Sequence, residues 1–589
     1  TAFISGWSLI NLQKPPKDPN RRQSAEKGPM SGRDIEALLL SKLCDRGTAI
    51  QPKSSIVTRT LNGYHVSNYA EHLRRSKRLA SALSHWGVQF QDRVATLMWN
   101  TGWHFEIYHA ISCLGAILHA LNLRLSIADL NYIIGHAQDR IVFVDANLIA
   151  LLEQVDVSVL NNVELFVCVG ESGEANRWSC HLDPKRTVDY EAFMASGQEE
   201  FQWPIVPEES LMGLCYTSGT TGRPKGAAYS QRSTYLHTLM ICGVDQLAIS
   251  AAEVVMPFAP MFHVLSWGIP YALLMTGSPV VFSNNFTDPG QMLQMMMDWK
   301  VQVATGVPTV WQQLRTHIQS QGGVAAIKSK MALQRLICGG SSPPAALMRW
   351  YLDELGVEFV QVWGMTETNP IGSVARRIGK VKDLEKSIDE SFANVRKAGL
   401  PSPGVEVRVA NLEDLSQDVR PGETGELLVR GPWIIQDYFE VDAKEKFLDG
   451  WLITGDVAKI DEEGAIIISD RSKDVIKSGG EWISSIDMEN AVTALSGIGM
   501  AAVVAVPHPR WDERPVVVVT LDKGESPENL LQRIHQHLSS SFAKFQLPDD
   551  VLVWNEIPHT STGKIDKKVI RAKLQEQGYV LPSLRSSKL

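Results

Sequence analysis

The run Tyr216-Thr217-Ser218-Gly219-Thr220-Thr221-Gly222-Arg223-Pro224-Lys225-Gly226 is rich in hydroxyls and glycines and ends in an ammonium. Such a loop offers backbone N–H groups, side-chain hydroxyls and one positive charge to a polyphosphate. Its glycines let the backbone come close to oxygen atoms. The preceding Leu211-Met212-Gly213-Leu214-Cys215-Tyr216 reads as a short buried strand. The loop is not a P-loop, because no Gly-Lys-Ser/Thr follows at the required spacing. A flexible Ser/Thr/Gly linker has a similar composition. A linker, however, has no reason to follow a buried strand and close on Arg-Pro-Lys-Gly.

The elements that must hold this loop show in the alternation around it. Tyr69–Trp86 has helical periodicity, and Val94-Ala95-Thr96-Leu97-Met98 follows as a strand. Residues 101–114 read as helix, and Gly115-Ala116-Ile117-Leu118-His119-Ala120 as the next strand or turn. Ile141-Val142-Phe143-Val144-Asp145 and Leu165-Phe166-Val167-Cys168-Val169 continue the pattern. Strands alternating with amphipathic helices predict an α/β fold of layered, mostly parallel sheets. Residues 405–468 change to short strands and Gly-rich turns, a β-rich subdomain. Beyond Asp470 a small α+β segment contains two apolar strands, 501–506 and 516–520, and a helix over 527–539. Asp470-Arg471-Ser472-Lys473-Asp474, with four charged residues, separates Ile466-Ile467-Ile468 from Val475-Ile476 and reads as a hinge or a solvated turn. The expected organisation is a flexible arm (1–40), a large domain (41–470), a small mobile domain (471–576) and a tail (577–589).

Bulk properties narrow the function. A chain of 589 residues is too long for one core. With 44% hydrophobic and 21% charged residues it has the composition of a globular protein. A net charge of −8 argues against a nucleic-acid binder. The seven cysteines are scattered, with no CxxC pair and no His/Cys cluster in the sequence; metal-ligand spacing and a disulfide framework are both absent, which fits a reducing compartment. Residues 254–287 lack Asp, Glu, Lys and Arg, but Pro257, Pro260, Pro270 and Pro279 interrupt them; they read as buried core and pocket wall rather than a membrane span. The N-terminus shows no signal peptide and starts at Thr1, as a processed or incomplete chain would, with a loosely held basic stretch over 14–33. Ser587-Lys588-Leu589 at the other end is the receptor-read peroxisomal address, which predicts an import receptor as partner.

The phosphate loop resembles the signature of the adenylate-forming enzymes: acyl-CoA synthetases, insect luciferases and peptide-synthetase adenylation domains. The resemblance runs from about Tyr69 to Arg571 and is nearest to medium- and long-chain fatty acyl-CoA synthetases. It rests there on Pro260-Met261-Phe262-His263-Val264, on part of Ala304-Thr305-Gly306-Val307-Pro308-Thr309-Val310-Trp311, and on residues 472–485, Ser472 to Ser485. Fungal acyl-CoA ligases of siderophore and toxin pathways look similar and can carry the same C-terminal tripeptide. The resemblance implies activation of a carboxylic acid as an acyl-adenylate, with loss of diphosphate, and then displacement of AMP by the thiol of coenzyme A. ATP, Mg²⁺ and coenzyme A are the implied cofactors and co-substrates, and an oligomer is compatible with it.

The same resemblance implies roles position by position. Lys564, in Pro558-His559-Thr560-Ser561-Thr562-Gly563-Lys564-Ile565, matches the catalytic lysine that bridges carboxylate and α-phosphate; on its own it reads as an exposed turn residue. Trp363, Gly364, Met365, Thr366 and Glu367 match the adenine and metal segment, with Thr217 and Glu367 as magnesium ligands. Asp456 matches the ribose ligand, Arg471 a ribose and phosphate contact, and Gly339 and Gly340 the loop under adenine. Ser218, Gly219, Thr220, Thr221, Gly222, Arg223, Pro224 and Lys225 complete the phosphate loop. His263, Trp267 and Gly306 fall in the acyl pocket, although Leu265 and Ser266 depart from the Asn-Ala common there. Lys473, Lys477, Gly479 and Gly480 lie along the expected coenzyme A path, with Lys473 at the hinge and Lys477 supporting the second half-reaction. A luciferase-like oxygenase shares the fold and the terminal address. Acyl transfer to a carrier protein and a non-catalytic binder are further readings; no carrier domain follows Lys564.

Overall fold

The structure is a computed structural model that describes residues 36–170, 183–217, 223–376, 396–479, 481–522, 524–560 and 564–582. A seven-stranded sheet carries the phosphate loop. Its order is Thr187–Asp189, Leu165–Val169, Ile141–Asp145, Arg93–Leu97, Ile117–Ala120, Leu211–Tyr216 and Gly226–Ser230, parallel except for the last antiparallel pair. Ile141–Asp145 and Leu165–Val169 are buried at every position. That is why, up to the carboxylate of Asp145 at the end of the first, they are continuous apolar runs rather than alternating ones: helices cover both faces of a parallel sheet. The helix Tyr69–Trp86 starts where Asn68 accepts the Glu71 N–H and stops at Gly87, whose φ of 110° a side chain would resist.

A nine-stranded sheet packs beside the first. Its central strands, from Glu358–Gly364 through Arg335–Cys338, Val303–Gly306, Val255–Pro257 and Val280–Phe282 to Ser55–Thr60, run parallel. Residues 255–283 are largely buried, as the sequence suggested, while Asn285 and Thr287 are exposed. Every residue of the helix Ile269–Thr276 is buried, and no described helix is long and apolar enough to cross a membrane.

Glu406–Ala410, Gly425–Arg430, Trp451–Ile460 and Ile466–Arg471 form the antiparallel β-rich subdomain. Asp470 and Arg471 are its last strand residues, so the chain leaves the large domain after Arg471. The exit is anchored by Glu426, whose two oxygens accept the Gly455 N–H at 2.6 Å and the Ser472 O–H at 2.5 Å. The small domain is a five-stranded sheet around the long pair Ile498–His508 and Asp512–Leu521. Separate apolar clusters fill its two faces, beneath the helices Ser485–Thr493 and Leu530–Leu538 on one side and Lys567–Glu576 on the other.

The tail does not begin at residue 577. Tyr579 donates to Asp550 at 2.6 Å, and Leu581 is fully buried. Two anchoring side chains suffice to dock this segment without any periodic pattern. Residues 583–589, with the terminal tripeptide, lie outside the described residues, as does most of the N-terminal arm. That arm is already tied down at Leu38, whose N–H donates to Glu208 at 2.8 Å.

Candidate active site

Ser218, Gly219, Thr220, Thr221 and Gly222 lie outside the described residues, but the neck of their loop is defined. The Thr217 N–H donates to the Lys225 carbonyl at 2.9 Å, and the Lys225 N–H donates to Thr217 Oγ1 at 3.1 Å. Lys225 Nζ lies 3.1 Å from Glu445 and 5.2 Å from the Tyr438 ring centre. The Tyr438 hydroxyl donates to Glu367 Oε1 at 2.6 Å. One aromatic side chain thus joins the lysine of the phosphate loop to the buried carboxylate of the Thr366-Glu367 segment. Arg223 stands over the Tyr132 ring, and Pro224 is buried.

The segment 363–370 leaves the nine-stranded sheet in a turn with no room at Gly364. A Cβ there would lie 1.7 Å from the Pro370 carbonyl oxygen. The Met365 N–H donates to that same oxygen at 3.1 Å, and the Thr366 carbonyl accepts the Tyr229 hydroxyl at 2.7 Å. Trp363 Nε1–H donates to Asp456 Oδ2 at 2.9 Å, while Arg471 Nε reaches Oδ1 at 2.7 Å. Asp456 is buried, and both of its oxygens are held in place by partners from two other strands. Gly339 and Gly340 close this side. A Cβ on Gly339 would meet Val362 at 2.5 Å and the Trp267 ring at 3.3 Å. Gly340, at φ 88°, faces Val307 and Lys564, whose Cε lies 3.9 Å from where its Cβ would be.

Lys564 therefore reaches from the small domain into the large one. Its ammonium is pushed down to about 8, first by burial and then by Arg471, with Asp456 and Glu367 opposing the shift. The His263 imidazole is pushed down to about 4 by burial, by Lys564 and by Arg124, and so stays neutral. The cationic end of Lys564 thus sits among the residues assigned to ribose, metal and acyl group. Such an arrangement can hold an anionic carboxylate against an α-phosphate, because the positive charge offsets their mutual repulsion. Glu367 and the Thr217 hydroxyl are hard oxygen donors, and Glu367 keeps Oε2 beside the Oε1 that Tyr438 occupies. This donor set suits magnesium, which takes one or two carboxylates plus phosphate oxygens.

The wall behind His263 is a left-handed turn. Val264, Leu265, Ser266 and Trp267 have φ of 45°, 48°, 51° and 59° without a glycine among them. Non-glycine residues resist this region, and such strain collects where a site over-determines the backbone. The restraints are Ser266 Oγ–H donating to the Ala259 carbonyl at 2.6 Å and Asn100 Oδ1 accepting the Met261 N–H at 2.7 Å. Leu265 and Ser266, the two departures from the family pattern, are both buried in this turn. Gly306 ends its strand with its Cβ position 2.9 Å from the Trp311 ring. It makes room for that indole, so close packing alone accounts for a glycine there.

Residues 46–439 match the model of the AMP-binding enzyme family, and residues 487–564 match that family's C-terminal domain. The chain belongs to the AMP-binding enzyme family. It is 39% identical to a long-chain-fatty-acid–CoA ligase of Thermus thermophilus, over 91% of this chain and 95% of that protein. It is 37% identical to a 3-methylmercaptopropionyl-CoA ligase of Ruegeria lacuscaerulensis, over 92% and 98%. Among solved structures it resembles ATP-bound MatB of Rhodopseudomonas palustris, with a TM-score of 0.76 and 26% identity over 91% of this chain and 99% of that one. It is an acid–thiol ligase, an acyl-CoA synthetase that uses ATP and coenzyme A.

The ligase presents a second group of residues on its small domain. Gly480 lies outside the described residues. Gly479 has φ 62°, its N–H donates to the Trp511 carbonyl at 2.8 Å, and a Cβ there would meet the Trp511 ring at 3.0 Å. Trp511 and Trp482 are exposed. Arg510 stands 4.6 Å from the Trp511 ring centre and Lys477 5.4 Å from that of Trp482. Lys473 is exposed at the hinge. Exposed indoles flanked by cations can stack a purine and attract its phosphates. The sequence reading missed Trp511, Tyr438 and Glu426. For Trp511 a signal existed, a tryptophan beside an arginine in a polar stretch; the other two had none.

Proposed function

We propose that this acyl-CoA synthetase activates an unbranched aliphatic acid of medium to long chain, with Lys564, Thr217 and Glu367 serving adenylation and the Lys473 to Gly480 face serving thioester formation. The observation that carries the choice of acid is the apolar turn of Val264, Leu265 and Trp267 directly behind His263. The names of the fatty-acid ligases at 37% and 39% identity support it. Past Trp267 stands His237, whose ring occupies the space a Cβ on Gly268 would take. A cleft of ≈490 Å³ lined by Leu236, Met240 and Trp433 lies beyond them. A second reading, an acid bearing a heteroatom, is favoured by His237, whose ring nitrogens are both buried without a hydrogen-bond partner. Thioester formation from straight-chain acids, propionic to palmitic, and from their hydroxy and methylthio analogues, read by mass spectrometry, separates the two. The first reading expects turnover to peak among the unsubstituted longer acids; a peak at a short substituted acid would overturn it.

In this assignment Lys564 holds the acid's carboxylate against the α-phosphate. Asp456, with Arg471 and Trp363 fixing its two oxygens, presents acceptors to the ribose hydroxyls. A magnesium ion held by Glu367 and Thr217 would neutralise phosphate charge. On the other face, Trp511, packed against Gly479, stacks the adenine of coenzyme A, and the pantetheine arm is assigned to the Gly479-Gly480 position by the family resemblance. Trp511→Ala is expected to raise the KM for coenzyme A about 10-fold, because base–aromatic stacking contributes roughly 1–3 kcal/mol. Acid-dependent pyrophosphate exchange should not change. An equal loss in both assays would remove Trp511 from the coenzyme A site.

We also propose that the enzyme works in the peroxisome, on the ground of Ser587-Lys588-Leu589. Removing these three residues is expected to leave activity in vitro unchanged and to shift a fluorescent N-terminal fusion from peroxisomes to cytosol. Continued import of the truncated fusion in cells lacking the full-length protein would refute the assignment.

A further inference from the structure

Spacing along the chain hid a cluster that the fold assembles. Cys44 lies on the helix Leu40–Ile50, and His109 and Cys113 lie on the helix Gly102–Leu114. His109 and Cys113 are one turn apart, the i, i+4 spacing that puts two side chains on one helix face. The two sulfurs and one ring nitrogen of these residues all lie within 4.8 Å of one another, and each residue is at most 3% exposed. The sequence shows no such cluster because the ligand atoms come from two helices, with Cys44 and His109 65 residues apart, that pack in the core.

Two further observations give the cluster a direction. His109 Nδ1 lies 3.2 Å from His72 Nε2, and His109 Nε2 is buried without a hydrogen-bond partner. With Nδ1–H donated to His72, Nε2 is a bare lone pair in an interior where an unmet polar atom is costly. This is the arrangement that fixes the tautomer of a metal-bound histidine from its outer side. The ring is also clamped. Trp203 stacks on it at 5.2 Å between ring centres, and Trp203 Nε1–H donates to Asp45 at 3.1 Å, next to Cys44 in sequence.

The geometry points to a binding site for one soft d¹⁰ cation, zinc or cuprous copper, held by Cys44, His109 and Cys113. Two thiolates and an imidazole are the donors such ions prefer. Loading breaks two S–H bonds and releases both protons to solvent; no electron is transferred. With Zn²⁺ the site is neutral overall, so the interior carries no net charge. Metal–sulfur bonds of about 2.3 Å and a metal–nitrogen bond of about 2.0 Å place the donor atoms roughly 3.5–4 Å apart. From separations of at most 4.8 Å the cluster needs to contract by no more than about 1.3 Å to reach that spacing. The ion would tie the helix Leu40–Ile50, which starts the described chain, to the core helix behind the first sheet, away from Lys564 and Glu367.

The test uses the full chain, produced in medium supplemented with zinc in one arm and with copper under reducing conditions in the other. Each product is passed over a weak chelator before elemental analysis. One equivalent of metal per chain is expected in one arm, falling to background in Cys44→Ser, Cys113→Ser and His109→Phe while pyrophosphate exchange is retained. If those variants do not fold, the wild type decides: cobalt loading is expected to give sulfur-to-cobalt charge-transfer absorption. Absence of stoichiometric metal from both arms together with absence of that absorption would overturn the proposal. So would full metal content in both cysteine variants, or a wild-type mass short by two hydrogens from a Cys44–Cys113 disulfide.

Discussion

Lys564→Ala is expected to lower acid-dependent pyrophosphate exchange about 100- to 1,000-fold, the usual cost of removing one preorganised group from developing charge. Thioester formation from supplied acyl-adenylate should be spared, because the Trp511 face does not use this ammonium. The pH dependence carries a second signature. Burial, and then Arg471, hold the ammonium down to about 8 in the free enzyme. The charged form is the active one and exists below that value. The kcat/KM of adenylation should therefore fall as pH rises through about 8. Lys564→Arg, which stays charged across this range, should be slower but lose the alkaline fall. If the arginine variant keeps the alkaline limb, another group titrates there and Lys564 is not the charge that matters.

Glu367→Gln is expected to cause the second largest loss. The amide keeps the shape and can still accept from Tyr438, but it removes the negative charge. Where a bound metal supplies several kcal/mol of charge stabilisation, losing its carboxylate should cost about 100-fold in exchange at fixed magnesium and raise the magnesium needed for half-maximal rate. Tyr438→Phe removes only the hydroxyl that donates to Glu367 Oε1. A single hydrogen bond to a charged group accounts for roughly 1.5–3 kcal/mol, so its effect should be smaller and should not change the magnesium requirement. An unchanged magnesium dependence in Glu367→Gln would remove this residue from the metal site.

The parts of the molecule legible in the sequence are those whose physics is local. Ile141–Asp145 is a parallel strand because four consecutive apolar side chains, Ile141 to Val144, are all buried. The phosphate loop is legible because its residue types are the chemistry. Contacts between distant segments were not legible. Glu426 anchors the hinge across 46 residues and Tyr438 orients Glu367 across 71, and neither stands in a pattern. The left-handed turn at Val264–Gly268 carries no glycine signal before Gly268, since it is imposed by Asn100 and Ser266 rather than by intrinsic preference. The docking of the start of the tail was not legible either, because it rests on Tyr579 and Leu581 alone, in a stretch with no apolar periodicity. The Cys44, His109 and Cys113 cluster was hidden for the same reason as Tyr438.

The central claim is that one site, closed by Lys564, joins a carboxylic acid to AMP before coenzyme A takes part. Isotope exchange between pyrophosphate and ATP, measured without coenzyme A and with an aliphatic acid present or absent, tests it most directly. The account predicts exchange that requires both the acid and magnesium and is lost in Lys564→Ala. Folded wild-type protein that shows no acid-dependent exchange across the panel of acids, or exchange that appears only when coenzyme A is added, would contradict it.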